Sequence, residues 1–209
     1  MKLLFLDTET NGLPKNRYAP FTSTEMWPHI LQISWQLVDI ESWANLSEYD
    51  SYVKLRSPWN SEAERIHQIP ETIVKELGKE PEVVFRSLGD VLKNCDIVVS
   101  HNMMFDKTII MSEIQRLKEA GVSIDPRAIW PNAKKEICTM SHTKEFCGIK
   151  FPNSNDYKYP KLNELYNRLY DKQYDISGAS LHNSKNDVSC LISCVQKMIE
   201  HEQFAKLFA

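Results

Sequence analysis

KLLFLD, residues 2–7, is almost continuously apolar and then ends on a charge. A short run without alternation is the pattern of a central strand covered on both faces, since a strand with one wet face alternates. With Met1 the run resembles the opening of a secretory signal, but Asp7 and Glu9 cut it short and no small-residue cleavage site follows. We read it as a buried strand. Outward from it, Leu31, Ile33, Trp35 and Leu37 alternate with Gln32, Ser34 and Gln36, which predicts a second strand with one wetter face. Residues 52–56 are expected to form the third strand, after a polar connection over 41–50 short enough for antiparallel pairing.

Helical spacing begins later. Val84, Leu88, Val91 and Leu92 share a stripe ahead of a short apolar strand at 96–100, and Ile110, Ile114 and Leu117 follow it at helical spacing, with Gly121 placed as a stop. Residues 122–160, broken by Pro126, Pro131, Pro152 and Pro160, read as a loop-rich segment with one short helix. Leu162, Leu165, Tyr166 and Leu169 mark a helix, and Val188, Leu191, Ile192, Val195 and Ile199 a long final one. Three strands with short connections, then helices alternating with a strand, predict one α/β domain over residues 1–209, a mixed β-sheet flanked by α-helices.

The 209 residues are enough for a core that needs no disulfide. No apolar run is long enough to span a bilayer, so no membrane partner is expected. The five cysteines lack paired spacing, and an intracellular, cytoplasmic setting with reduced thiols is the expectation. Cys138, His142 and Cys147 have poor zinc spacing and no evident fourth ligand, and half-buried thiols on an amphipathic helix account for them. The net charge of −3 runs against the basic excess usual for phosphate binding. If four acids hold cations, the remainder of the chain carries +1, and the cations themselves bind phosphate.

Three motifs carry chemistry. Asp7 and Glu9 are two apart at a strand end, so both point to one face, and two acids leaving a buried strand together call for a cation between them. A solvated turn is the plainer account of that motif alone. His101, Asn102, Phe105 and Asp106 follow the strand at 96–100; taken alone, Asn102 as a helix cap and Asp106 in a first turn explain them. His182 and Asp187 precede the last stripe. Five residues turn about 140° along a helix, so one of them lies outside it. Ser184 and Asp187 have capping-box spacing, which starts the helix near Ser184 and leaves His182 on a loop.

In this order the motifs resemble the DnaQ-like, or DEDDh, 3′–5′ exonucleases of the ribonuclease-H-like superfamily, at Asp7, Glu9, Asp106, His182 and Asp187. The resemblance runs from the first strand to the last helix and includes Gly12, Leu13 and the PHILQI run at 28–33. No tyrosine stands in 183–187, which separates the chain from the sister group that uses one. Lys185 and Asn186 depart from the Ala-Leu-Asp-Asp-like segment of the histidine branch.

The resemblance implies a ribonuclease-H-like fold and two Mg²⁺ (or Mn²⁺) ions on Asp7, Glu9, Asp106 and Asp187, with Asp7 bridging. It implies His182 as general base in releasing nucleoside 5′-monophosphates from DNA or RNA with a free 3′ end. It also implies terminal recognition by the backbone near Thr8 and Thr10, by Leu13 as a wedge, and by Asn102 and Phe105 lining a base pocket. Phe105 has a plainer account as core. Lys158, Tyr159 and Lys161 are candidates for tracking the substrate, with a solvated loop the simpler reading. A polymerase or other repair partner would be a separate chain, and the motifs do not encode an oligomeric state. A noncatalytic nucleic-acid-binding or scaffold module on the same fold is the competing reading; loss of a carboxylate would mark it, and none is lost. A ribonuclease-H-like endonuclease matches the histidine spacing less well.

Overall fold

The computed structural model describes residues 1–172 and 183–208. Its centre is a five-stranded sheet of β1 (Lys2–Thr10), β2 (Ile30–Asp39), β3 (Asn45–Tyr52), β4 (Ile97–Ser100) and β5 (Lys135–Cys138). The strand order is β3-β2-β1-β4-β5. The first three strands pair antiparallel, while β4 lies parallel to β1 and β5 parallel to β4. KLLFLD thus occupies the middle of a mixed sheet, with Leu3, Leu4, Phe5 and Leu6 fully buried.

The two-residue period of β1 sorts the core. Leu4 and Leu6, with Ile33, Trp35 and Leu37 of β2 and Val98 of β4, face α3 (Pro81–Lys93) and α4 (Met103–Glu119). Leu3 and Phe5, with Ile97 and Val99, face α8 (Leu162–Tyr170) and α9 (Ser184–Glu200) on the other side. Gly121 closes α4 as expected: at φ +87° it lets the amides of Gly121 and Val122 reach the carbonyls of Lys118 and Leu117.

Several expectations change. The third strand is Asn45–Tyr52, inside the stretch read as a connection, because this edge strand is largely exposed and its polar residues carry no apolar stripe. The reversal before it has Trp43 at φ +58°. The polar face of β2 is not wet: Gln32 and Ser34 are 1% and 2% exposed, and their polarity serves buried hydrogen bonds. Leu31 leaves the stripe at a β-bulge and packs with Ile69 and Val74.

Helices α1 (Ser61–His67) and α2 (Glu71–Leu77) lie where no element was expected. Residues 122–160 hold β5 and three single-turn helices, α5 (Pro126–Ile129), α6 (Thr139–His142) and α7 (Lys144–Cys147), rather than one. Helix α9 starts at Ser184 as expected, but its cap is Asn183, whose side chain accepts from the amides of Lys185 and Asn186. All five cysteines are free thiols. No helix among the described residues is long and apolar enough to cross a membrane.

Candidate active site

Asp7 and Glu9 belong to the odd-numbered set of β1, so their side chains leave the sheet on the α9 face, where Asp187 stands in the first turn of α9. Each offers a carboxylate oxygen, and the three oxygens lie within 4.8 Å of one another. Asp106 comes from the other face, in the first turn of α4. The even-numbered Thr8 and Ser100 point to that face, and their hydroxyls donate to its two oxygens at 2.8 and 2.9 Å. The three-acid cluster and Asp106 therefore meet over the carboxyl ends of the parallel strands β1 and β4 from opposite sides of the sheet.

These acids crowd one another. Burial, followed by the charges of Asp106, Asp187 and Glu9, holds the Asp7 carboxyl well above the usual range. Glu9 is pushed up to about 8 by burial and by Asp187 and Asp106. Burial raises Asp106 to about 6 against the hydroxyl bonds of Thr8 and Ser100, and burial plus Asp106 raises Asp187 to about 6. Among the described residues, no cationic side chain acts on any of the four. A crowded set of hard oxygen donors of this kind fits divalent cations such as Mg²⁺ or Mn²⁺. Among the described residues, Asp7, Glu9 and Asp187 form the only group of three such side chains close enough to share an ion.

A cleft of about 1320 Å³ opens along the start of α4; Asn102 and Phe105, just ahead of Asp106 in the chain, line it, and none of the four acids is in its walls. Its walls are residues 13–18 on one side, the start of α4 in the middle, and residues 138–142 with Tyr159 on the other. Leu13, 83% exposed, stands on the rim, and Asn102 and Phe105 line the cleft. Asn102 occupies the N-cap position of α4 without making a side-chain cap bond, so its amide is not spent on the helix. Phe105 packs on the core and also lines the cleft. Thr8 is buried against Asp106, and the Thr10 hydroxyl donates to the Gly12 carbonyl, so neither side chain faces the cleft. His182 lies outside the described residues; the carbonyl of its neighbour Asn183 accepts the Asp187 amide at 3.0 Å.

The roles of His101 and Tyr18 were not read from the sequence, whereas Lys158, Tyr159 and Lys161 were expected to track the substrate or to lie on a solvated loop. His101 is structural: its Nε2 donates to the Pro160 carbonyl and its Nδ1 accepts from Thr139, both at 2.9 Å, pinning the far cleft wall to the end of β4. Lys158 is tied to Glu164 at 2.6 and 2.7 Å, and the Lys161 amide bonds the same carboxylate, which leaves Tyr159, 53% exposed, on the cleft. Tyr18, 80% exposed, faces it from the opposite wall with Arg17 over its ring.

No protein-family model matches the chain, and no curated protein does. Solved structures do match. A zinc-bound complex of E. coli exonuclease I with single-stranded DNA superposes with a TM-score of 0.70 at 16% identity, covering 99% of this chain and 42% of that one. The chain has the fold of exonuclease I. A second exonuclease I structure gives a TM-score of 0.72 at 16% identity over 99% and 43% of the two chains, and a product-bound form 0.70 at 17% over 99% and 46%. The exonuclease I structures include a metal-free form as well as the zinc-bound one. At this identity the likeness speaks for the ribonuclease-H-like fold, and the chain spans less than half the length of those proteins.

Proposed function

We propose that this protein is a metal-dependent 3′–5′ exonuclease of the DEDDh type, acting on single-stranded nucleic acid with a free 3′ end. The observation that carries the proposal is the cluster of Asp7, Glu9 and Asp187 oxygens within 4.8 Å, with Asp106 near enough to raise the Asp7 carboxyl; a cleft lined by Asn102 and Phe105, just ahead of Asp106 in the chain, supports it. The single-stranded DNA bound by the E. coli exonuclease I neighbour supports the choice of substrate.

Asp7, Glu9, Asp106 and Asp187 would hold two Mg²⁺ or Mn²⁺ ions, and such a pair would stabilise negative charge on the attacking and leaving oxygens of an in-line displacement. The chain's own residues do the rest. The cleft receives the 3′-terminal nucleotide between Leu13 on the rim and Asn102 and Phe105 on the wall, so that the scissile phosphodiester lies toward the acids. The exposed side chains of Tyr18 and Tyr159, which carry Arg17 and Lys144 over their rings, would meet upstream nucleotides with Lys15 beside them. An imidazole nitrogen of neutral His182 takes the proton of the attacking water; an ordinary histidine, titrating near pH 6.5, is mostly in that form at pH 7. The P–O3′ bond breaks, giving a nucleoside 5′-monophosphate and a strand one residue shorter.

The test is digestion of 5′-labelled single-stranded DNA and RNA of one sequence with Mg²⁺, Mn²⁺ or EDTA, using the native protein and His182→Ala. The expected result is a metal-dependent ladder shortening from the 3′ end, lost in the variant. Binding of both strands without cleavage of either, under every metal condition, would replace the proposal with a noncatalytic binding module.

A further inference from the structure

Two strands away from Asp7 stands a fifth carboxylate, Asp50, and the register aligns the two. Asp7 pairs with Ser34 across β1 and β2, and Ser34 pairs with Asp50 across β2 and β3. Glu9 pairs in the same way with Gln32. Cross-strand partners point to one face, so Gln32, Ser34 and Asp50 emerge on the α9 side, in the row that holds Asp7 and Glu9. With strands about 4.8 Å apart, Asp50 is roughly 10 Å from Asp7, too far to share a cation with it.

Hydrogen bonds link this row to α9. The Ser34 hydroxyl lies 2.7 Å from Asp50 Oδ1 and 2.7 Å from the hydroxyl of Ser184, the first residue of α9. Gln32 Nε2 donates to the same Oδ1 at 2.8 Å, and Gln32 Oε1 accepts the Ser184 amide at 3.4 Å. An ionised carboxylate only accepts, so Ser34 gives its one proton to Asp50 and Ser184 must donate to Ser34. Asp50 therefore sets the direction of every bond in the chain. Ser184 is fully buried, and its two anchors fix the start of the helix three residues before Asp187.

We propose that Asp50 is a positioning residue, which through Ser34 and Gln32 holds the first turn of α9 so that Asp187 closes the carboxylate cluster with Asp7 and Glu9. The inference rests on the metal-binding half of the proposed function and not on catalysis. Partners that orient metal ligands from behind are worth about 10–100-fold in metal affinity or activity.

The test is titration of chelator-stripped protein with Mn²⁺, following free Mn²⁺ by electron paramagnetic resonance, for the native protein, Asp50→Ala and Asp50→Asn. Both variants change an exposed edge-strand side chain, so folding is expected to survive, and far-ultraviolet circular dichroism checks it. Asp50→Ala removes the acceptor and should weaken Mn²⁺ binding about tenfold. Asp50→Asn keeps an acceptor oxygen and should stay within about threefold of the native protein. With a labelled strand as substrate, Asp50→Ala should need correspondingly more Mn²⁺ for half-maximal release, with KM for the strand unchanged. Equal weakening in both variants would make charge the cause, and native Mn²⁺ binding in Asp50→Ala would leave only a structural role; either overturns the proposal. A native protein that binds Mn²⁺ but releases no nucleotide would defeat the exonuclease reading while leaving this one to be judged by the titration.

Discussion

The acids of the cluster are not held alike. Asp106 has hydroxyl donors on both oxygens, which favour its ionised form against burial, whereas burial and two acidic neighbours push Glu9 to about 8. Asp7 is pressed from three sides by Asp106, Asp187 and Glu9. A side chain kept in such a place destabilises the protein that lacks cations and serves it once they bind, which gives Asp7→Asn two opposite effects. Metal-dependent nucleotide release should fall on the order of 10³-fold, since a cation at a developing charge is worth several kcal/mol. In EDTA at pH 8 the same variant should melt above the native protein, by about 3 °C for each kcal/mol of repulsion relieved. Native-like release, or a lower melting temperature in EDTA, would contradict this account of Asp7. The residues themselves were legible because their spacing is local: i and i+2 on a strand, or the first turn of a helix. Thr8 as a holder of Asp106 was not, because that contact joins residues 98 apart.

At the scale of elements, the cleft depends on how residues 11–29 are fastened to α4. Arg116 does this from the helix: its guanidinium donates to the carbonyls of Thr24, Trp27 and Pro28, and to Glu113 at 2.8 Å. Glu113 in turn accepts the Ile30 amide at 3.2 Å and meets His29 Nδ1 at 2.9 Å. Arg116→Ala would strip three carbonyls and a buried carboxylate of their partner, costing about 2–4 kcal/mol. The melting temperature should drop by about 5–10 °C. KM for the strand should rise because Leu13 and Tyr18 lie on the loosened wall; a drop under about 2 °C with unchanged KM would contradict the clamp. Strands β1 and β4 were visible in the sequence as short unbroken apolar runs, β2 by its alternation, and helices α3, α4, α8 and α9 by apolar stripes at helical spacing. Strands β3 and β5 were not, since NLSEYDSY carries no stripe and KEIC buries only Ile137. Nor did the alternation in β2 say whether its polar face meets water or a buried hydrogen-bond network.

For the whole molecule, the crowded acids link stability to pH and to cations. Folded-state pKa values raised to about 8 for Glu9 and about 6 for Asp106 and Asp187 mean that the folded, metal-free protein keeps protons that the unfolded chain gives up from about pH 4 upward. The stabilising contribution of these groups is present in acid and is lost as pH rises through 6 and then 8. In EDTA the melting temperature should be about 3 °C or more lower at pH 8.5 than at pH 6, and Mg²⁺ or Mn²⁺ should flatten that slope by favouring the ionised acids. The same slope with and without cations would contradict a metal site there. The cleft is lined by the residues just ahead of Asp106, and the central claim is that a strand reaches the acids by its 3′ end. The most direct test is to compare a single-stranded DNA circle with the same molecule opened at one bond, in Mn²⁺. The account predicts that the linear form is degraded to nucleoside 5′-monophosphates while the circle stays intact; cleavage of the circle at a comparable rate would contradict it.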